Sequence, residues 1–213
     1  MHIIDVLIVG VLQANCYLFC DCETKETIII DPGDDAKKII DVIETNDYKP
    51  VMIVNTHYHF DHIGANRALC EKYSIPIAIG ERDAKYLSNS HKDAFAFMIN
   101  CIQSPDADML LKENDIIKTQ NYEFSVIETP GHTIGSICLY SNKNRILFSG
   151  DTLFFESIGR WDLKGGDKDS LLKSLDKLLL LDEKTVVYPG HGQETTINHE
   201  KVCNPFIKQK PRV

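Results

Sequence analysis

Thr56-His57-Tyr58-His59-Phe60-Asp61-His62 places three imidazoles and a carboxylate within six consecutive residues. Held that close in an ordinary core, such groups compete for protons; a divalent transition metal asks for nitrogen and carboxylate donors at short range. The apolar run at 51–54 just before it reads as a strand buried on both faces. The cluster therefore falls on a loop at the carboxyl end of a strand.

Working outward, residues 62–73 are helix-compatible, 75–79 form the next buried strand and 82–87 a short helix, an α/β rhythm. Towards the amino terminus, β-branched and aromatic runs at 2–9, 16–19 and 27–30 predict three strands, the last stopped by Asp31-Pro32-Gly33. Between them and the cluster, Ala36, Ile39, Ile40, Val42 and Ile43 recur at helical spacing over 35–46, with Asp34 or Asp35 available as a cap. The pattern weakens over 88–112, apart from a helix-compatible stretch at 94–101. A connection of that length carries a substrate pocket or is a surface excursion.

From 115 the strand signal returns at 115–118, 122–128, 136–140 and 145–149, and Ser141-Asn142-Lys143-Asn144 makes a hairpin turn. A leucine-faced helix follows at 168–181, then a strand at 185–188 and a helix at 194–201. Two sheets packed face to face with helices outside both would bury these strands and align the strand-end loops along one edge. No linker or low-complexity tract interrupts the chain, so residues 1–213 are expected to form a single α/β (α+β) domain.

With 213 residues, 43% hydrophobic and 25% charged, the composition is that of a globular protein with one substantial core. A net charge of −8 leaves no basic stripe for nucleic acid, so a small-molecule substrate is expected. No apolar run reaches membrane-span length, and Met1-His2-Ile3-Ile4-Asp5 has no leader character, so a cytoplasmic location and no membrane partner are expected. The seven cysteines are scattered, with no C-x-x-C pair, and read as reduced thiols, Cys20 and Cys22 included.

Three further donors each follow a strand beside glycine: His132 in Thr129-Pro130-Gly131-His132-Thr133, Asp151 in Phe148-Ser149-Gly150-Asp151-Thr152, and His191 in Tyr188-Pro189-Gly190-His191-Gly192. Glycine admits unusual backbone angles and close approach to an ion. In order and spacing, these motifs and the H-x-H-x-D-H cluster resemble the metallo-β-lactamase-fold hydrolases from residue 3 to residue 206. The resemblance implies a four-layer αββα sandwich with two metal sites at one sheet edge. It also implies His57, His59 and His132 as ligands of the first metal, Asp61, His62 and His191 as ligands of the second, and Asp151 as the bridge. Two divalent ions per chain are expected, zinc first, with iron or manganese also suited to imidazole and carboxylate.

The chemistry then follows from charge. A hydroxide held between two cations about 3.5–4 Å apart would exist at neutral pH and would attack an electrophilic carbonyl, and Asp61 is expected to accept or pass a proton. Thr56, Thr133, Ser149 and Thr152 are candidate hydroxyl supports for the ligands.

Within the fold the motifs are most similar to the glyoxalase II group, the hydroxyacylglutathione hydrolases, in its small bacterial form. The residues carrying this are Gly150-Asp151-Thr152-Leu153-Phe154, Gly159-Arg160-Trp161-Asp162, Gly165-Gly166-Asp167 and Asn204-Pro205-Phe206. The resemblance implies hydrolysis of a thioester such as S-lactoylglutathione, whose thiolate departs without strong acid help. Lactam-cleaving members with a cysteine at the second metal differ from this chain, which points away from antibiotics.

Arg160 is the expected substrate contact, able to clamp a carboxylate bidentately. Against it, Asp162 stands where the larger enzymes have tyrosine, and a salt bridge from Arg160 to Asp162 or Asp167 is the plainer reading. A counterpart of the larger enzymes' C-terminal helical portion is not expected after Phe206, where Lys208, Lys210 and Arg212 follow. Phe154, Phe155 and Trp161 wall the pocket or belong to the core. The rival reading is a persulfide dioxygenase of the same fold, with a single iron on His57, His132 and Asp151.

Overall fold

A computed structural model describes residues 1–90 and 102–208. The helix expected at 94–101 lies outside the described residues. The first sheet orders β1 (His2–Val9), β2 (Ala14–Asp21), β3 (Glu26–Ile30), β4 (Lys49–Asn55), β5 (Ile77–Gly80) and β6 (Met109–Leu111), antiparallel up to β3 and parallel thereafter. The second sheet comprises β7 (Ile116–Lys118), β8 (Glu123–Glu128), β9 (Ile137–Ser141), β10 (Ile146–Gly150), β13 (Val186–Pro189) and β14 (Thr195–Thr196), ordered β14-β13-β10-β9-β8-β7. Between β10 and β13 the chain makes a small hairpin, β11 (Leu153–Phe154) and β12 (Ser157–Ile158).

Strict alternation along the strands builds the layers. On β2, Ala14, Cys16, Leu18 and Cys20 turn outward into a core shared with the helices, while Tyr17 and Phe19 turn inward between the sheets. On β9 and β10, Ile137, Leu139, Ile146 and Phe148 face inward, and Cys138 and Leu147 face the helices on the other side. Because side chains in a strand point to opposite faces with period two, a strand apolar at every position needs cover on both sides. The inter-sheet core is aromatic at its centre: Phe19 meets Phe124 edge-on at a centroid distance of 4.8 Å, with Phe148 beside both. Such pairs contribute about 0.5–1.5 kcal/mol beyond area burial.

Helices α1 (Ala36–Thr45), α2 (Asn66–Tyr73) and α3 (Glu81–Leu87) cover the first sheet. The second is covered by α4 (Lys168–Leu178) and α5 (Ile197–Cys203), and α6 (Pro205–Lys208) follows. The fold is thus the αββα sandwich of the metallo-β-lactamase fold. No helix among the described residues is long and apolar enough to cross a membrane.

Several boundaries differ from the sequence reading. The expected helix at 62–73 is a 3₁₀ turn, Phe60–His62, and then α2 from Asn66. The break is at Gly64, whose N–H donates to the Gly33 carbonyl and whose α-carbon lies so close to that carbonyl that no side chain would fit. Asp35 does precede α1, but its carboxylate accepts from Gly10 N–H instead of capping the helix. The run at 51–54 is fully buried only at Ile53 and Val54; Val51 and Met52 are partly covered. α4 ends at Leu178, the helix expected at 194–201 is α5 and begins at Ile197, with the Thr196 hydroxyl capping His199 N–H, and α6 was not foreseen. The short strands β6, β11, β12 and β14 were not foreseen.

Candidate metal centre

All the donor loops leave strand carboxyl ends on one edge of the sandwich: Asp31 after β3, the histidine cluster after β4, His132 after β8, Asp151 after β10 and His191 after β13. Ile137 N–H donates to the Thr56 carbonyl at 2.9 Å and Gly190 N–H to the Gly150 carbonyl at 2.8 Å, so backbone bonds fix these loops against one another.

His57, His59 and His132 converge with their ligand atoms within 4.8 Å of one another. His132 Nε2 lies 2.9 Å from His59 Nδ1, while His132 Nδ1 donates to the Arg160 carbonyl at 2.8 Å. The Thr56 hydroxyl gives its hydrogen to Asp31 Oδ2 at 2.6 Å, so at 3.1 Å it accepts from His57 Nδ1–H. Both outward nitrogens therefore carry the hydrogen, and both Nε2 lone pairs face inward. Burial above all, then the surrounding imidazoles, holds His57 well below the usual histidine range and His59 at about 4. At neutral pH they are unprotonated donors. His57 Nε2 is buried without a hydrogen-bond partner, an arrangement that costs about 1–3 kcal/mol unless something else binds there.

Asp61, His62 and His191 form the second group. His191 Nε2 stands 3.3 Å from Asp61 Oδ2 and 3.3 Å from His62 Nε2. His62 Nδ1 donates to Asp31 Oδ2 at 3.2 Å. Burial alone would lower His62, but the carboxylates of Asp61, Asp151 and Asp31 outweigh it and raise the imidazole to about 10. Asp61 is likewise held far below the carboxylate range, against the effect of burial, by His62 and His191. This group gathers positive charge onto itself, as a cation site does.

Asp151 stands between the two groups. Its Oδ2 is 3.4 Å from His132 Nε2 and its Oδ1 is 3.6 Å from His62 Nε2. Oδ1 is a second buried atom with no hydrogen-bond partner. Gly190 packs so tightly here that a β-carbon would strike Asp151 Oδ1. Inward lone pairs, orphaned buried donors and an all nitrogen and oxygen donor set fit a pair of divalent metals.

A family model described as metallo-beta-lactamase superfamily matches residues 9–191. The chain belongs to the metallo-β-lactamase superfamily. It is 42% identical over 205 residues to a protein of Aquifex aeolicus, covering 96% of each chain. It is 35% identical over 211 residues to the hydroxyacylglutathione hydrolase GloC of Haemophilus influenzae, covering 97% of this chain and 99% of that one. Among solved structures, it resembles the BLEG-1 B3 metallo-beta-lactamase with a TM-score of 0.89 and 38% identity, over 96% of this chain and 99% of that one. TTHA1623 in a di-iron-bound form gives 0.87 and 35%, over 95% and 99%. ETHE1 from Myxococcus xanthus gives 0.83 and 27%, over 99% and 86%.

The superfamily's metal-binding edge is supported here by two carboxylates that the sequence reading passed over. Asp31 accepts Thr56 N–H at 2.7 Å on Oδ1, and the Thr56 hydroxyl and His62 Nδ1–H on Oδ2, so its oxygens are already engaged in orienting both groups. The signal available was an aspartate in Asp-Pro-Gly ending a buried strand. Asp83, on α3, accepts Gly135 N–H and the Thr133 hydroxyl at 2.8 and 2.6 Å, with Tyr58 N–H as a further donor, and so ties the His132 loop to the His57–His62 loop. No sequence motif marks it.

Among the hydroxyls expected to support ligands, Thr56 touches His57 directly. Thr133, Ser149 and Thr152 bond to Asp83, the Leu153 carbonyl and Thr129, and brace the loops instead. The Arg160 side chain is exposed and forks onto Asp162 with two 2.9 Å bonds, the salt bridge the sequence allowed; its carbonyl is what holds His132. Phe154 stands edge-on to His191 at 6.2 Å, Phe155 stacks on His199, and Trp161 packs against the outer core under Lys168.

Proposed function

We propose that this metallo-hydrolase superfamily member is a two-metal hydrolase of thioesters, with S-lactoylglutathione as the reference substrate. The observation that carries this reading is the second donor group, Asp61, His62 and His191, assembled beside the first with Asp151 between them. A one-iron oxygenase would need only His57, His132 and Asp151.

His57, His59 and His132 would hold one ion, Asp61, His62 and His191 the other, and Asp151 would offer an oxygen to each. Bound there, divalent cations supply a hydroxide at neutral pH and positive charge for a developing oxyanion. Asp31 and the Arg160 carbonyl keep the imidazole lone pairs aimed inward throughout. In this reading Asp61, whose Oδ2 lies 3.3 Å from His191 Nε2, would also pass a proton. Arg160 can exchange Asp162 for a substrate carboxylate at small cost, because an exposed ion pair is worth little. The 35% identity to a hydroxyacylglutathione hydrolase supports the thioester class.

The test is to measure metal content and, on the same sample, hydrolysis of S-lactoylglutathione, oxygen consumption on glutathione persulfide and opening of a chromogenic cephalosporin, the last because of the BLEG-1 likeness. Thioester turnover with close to two metals per chain is expected. Turnover of the persulfide or the lactam alone overturns the reading.

A further inference from the structure

At the β11–β12 hairpin a further group gathers, made of residues outside the donor cluster: Glu156, His199 and Cys203, whose ligand atoms lie within 4.8 Å of one another. His199 and Cys203 are four residues apart on α5 and share one helix face. Glu156 reaches them from the hairpin turn, with Oε1 3.0 Å from His199 Nε2.

The three side chains are held by surroundings of their own. Phe155 stacks on the His199 ring at 4.9 Å and 16°, which sets the ring plane. Glu156 N–H donates to both carboxylate oxygens of Glu200 at 3.0 and 3.2 Å. Glu200 is fully buried and accepts from the Thr195 hydroxyl at 2.6 Å and from Asn204 Nδ2 at 2.7 Å, so the turn is anchored to the interior. A hydrogen bond between His199 and Glu156 needs no thiol; a thiol delivered to the same point adds a soft donor to a nitrogen and an oxygen.

We propose that Glu156, His199 and Cys203 form a separate binding site for a borderline divalent transition metal such as zinc or cobalt. The mixed sulfur, nitrogen and oxygen set excludes magnesium and calcium, which take oxygen alone. With bond lengths of about 2.0–2.3 Å, donor atoms around a tetrahedral ion sit about 3.3–3.8 Å apart, which rotamer adjustment of these half-exposed side chains reaches. Three protein donors leave a fourth position for water. Binding exchanges the thiol proton of Cys203 for the metal–sulfur bond and releases that proton to solvent. The metal would clamp the hairpin to α5 within the segment that links Asp151 to Arg160, whose carbonyl holds His132. The site is independent of the thioester reading.

The test adds cobalt(II) to chelator-treated, reduced full-length protein and follows the near-ultraviolet thiolate-to-cobalt charge-transfer band. The donors along the sheet edge are nitrogen and oxygen only, so they contribute no such band, and loss of the two-metal reading would leave this signal untouched. We expect the band in the wild type, its loss in Cys203→Ser with one fewer cobalt per chain, and at least tenfold weaker binding in His199→Gln. On the unmutated protein, zinc should slow alkylation of Cys203, read by mass spectrometry, at least tenfold. The proposal is overturned by absence of the band, by a band that survives Cys203→Ser, or by equal alkylation of Cys203 with and without zinc.

Discussion

Removing the charge from Asp83 separates what its hydrogen bonds contribute from what its ionisation costs. Burial outweighs the Thr133, Gly135 and Tyr58 donors and pushes this carboxyl from 3.8 up to about 6. A carboxyl with a raised folded pKa stabilises the fold fully below its unfolded value, and the contribution is lost as pH rises through the folded value. From these two values the fold loses about 2 kcal/mol through this group between about pH 4.5 and about pH 7.5. Asp83→Asn does not titrate, and it can still accept Gly135 N–H while its amide donates to Thr133, whose hydroxyl turns to Ser136 at 2.6 Å. Urea unfolding of wild type and Asp83→Asn, both in chelator, gives a stability difference at each pH from which the other titrations cancel. That difference should move by about 2 kcal/mol against the wild type from the lower to the higher pH. A constant difference, or one moving the other way, would refute the reasoning.

Asp151→Ala should lose most of the bound metal and activity together, by elemental analysis and turnover; full activity on one metal would sink the dinuclear mechanism. Asp31→Asn puts an amide where Thr56 and His62 both donate, and should weaken metal binding about 10–100-fold, as such supporting carboxylates do; an unchanged affinity in a chelator competition would remove Asp31 from that role. Arg160→Ala keeps the carbonyl that holds His132, so metal content should stay at wild type while KM rises more for glutathione thioesters than for a small neutral thioester. Equal rises would take the guanidinium out of the substrate site.

The apolar runs of β2, β9 and β10 were legible as buried strands, and the spacing in α1 and α4 as helices, because burial follows the backbone period; which face each strand residue takes was not legible, since every position is covered. The donors were legible because four of them crowd between His57 and His62, and the other three, His132, Asp151 and His191, each sit beside glycine after a strand. Asp31 and Asp83 were not, since a lone acidic residue carries no local pattern and both act through partners distant in sequence: Asp83 reaches Thr133 and Gly135 across about fifty positions. The β11–β12 hairpin escaped for a related reason, because its two-residue strands pair only with each other. Arg160 shows the opposite failure. Its side chain drew attention, while the group that touches a donor is its carbonyl, which any residue type would provide.

The donors come from both sheets, His57 to His62 from the first and His132, Asp151 and His191 from the second. An ion held by either group would therefore act as a rivet through a seam, and unfastening it would loosen the joint between the two sheets. Chelation should then be felt as easier proteolysis and a lower melting temperature, well away from the loops that hold the ions. A partly made chain shows its four adjacent donors long before His191 exists to complete the second group. Only a finished sandwich can close around the pair.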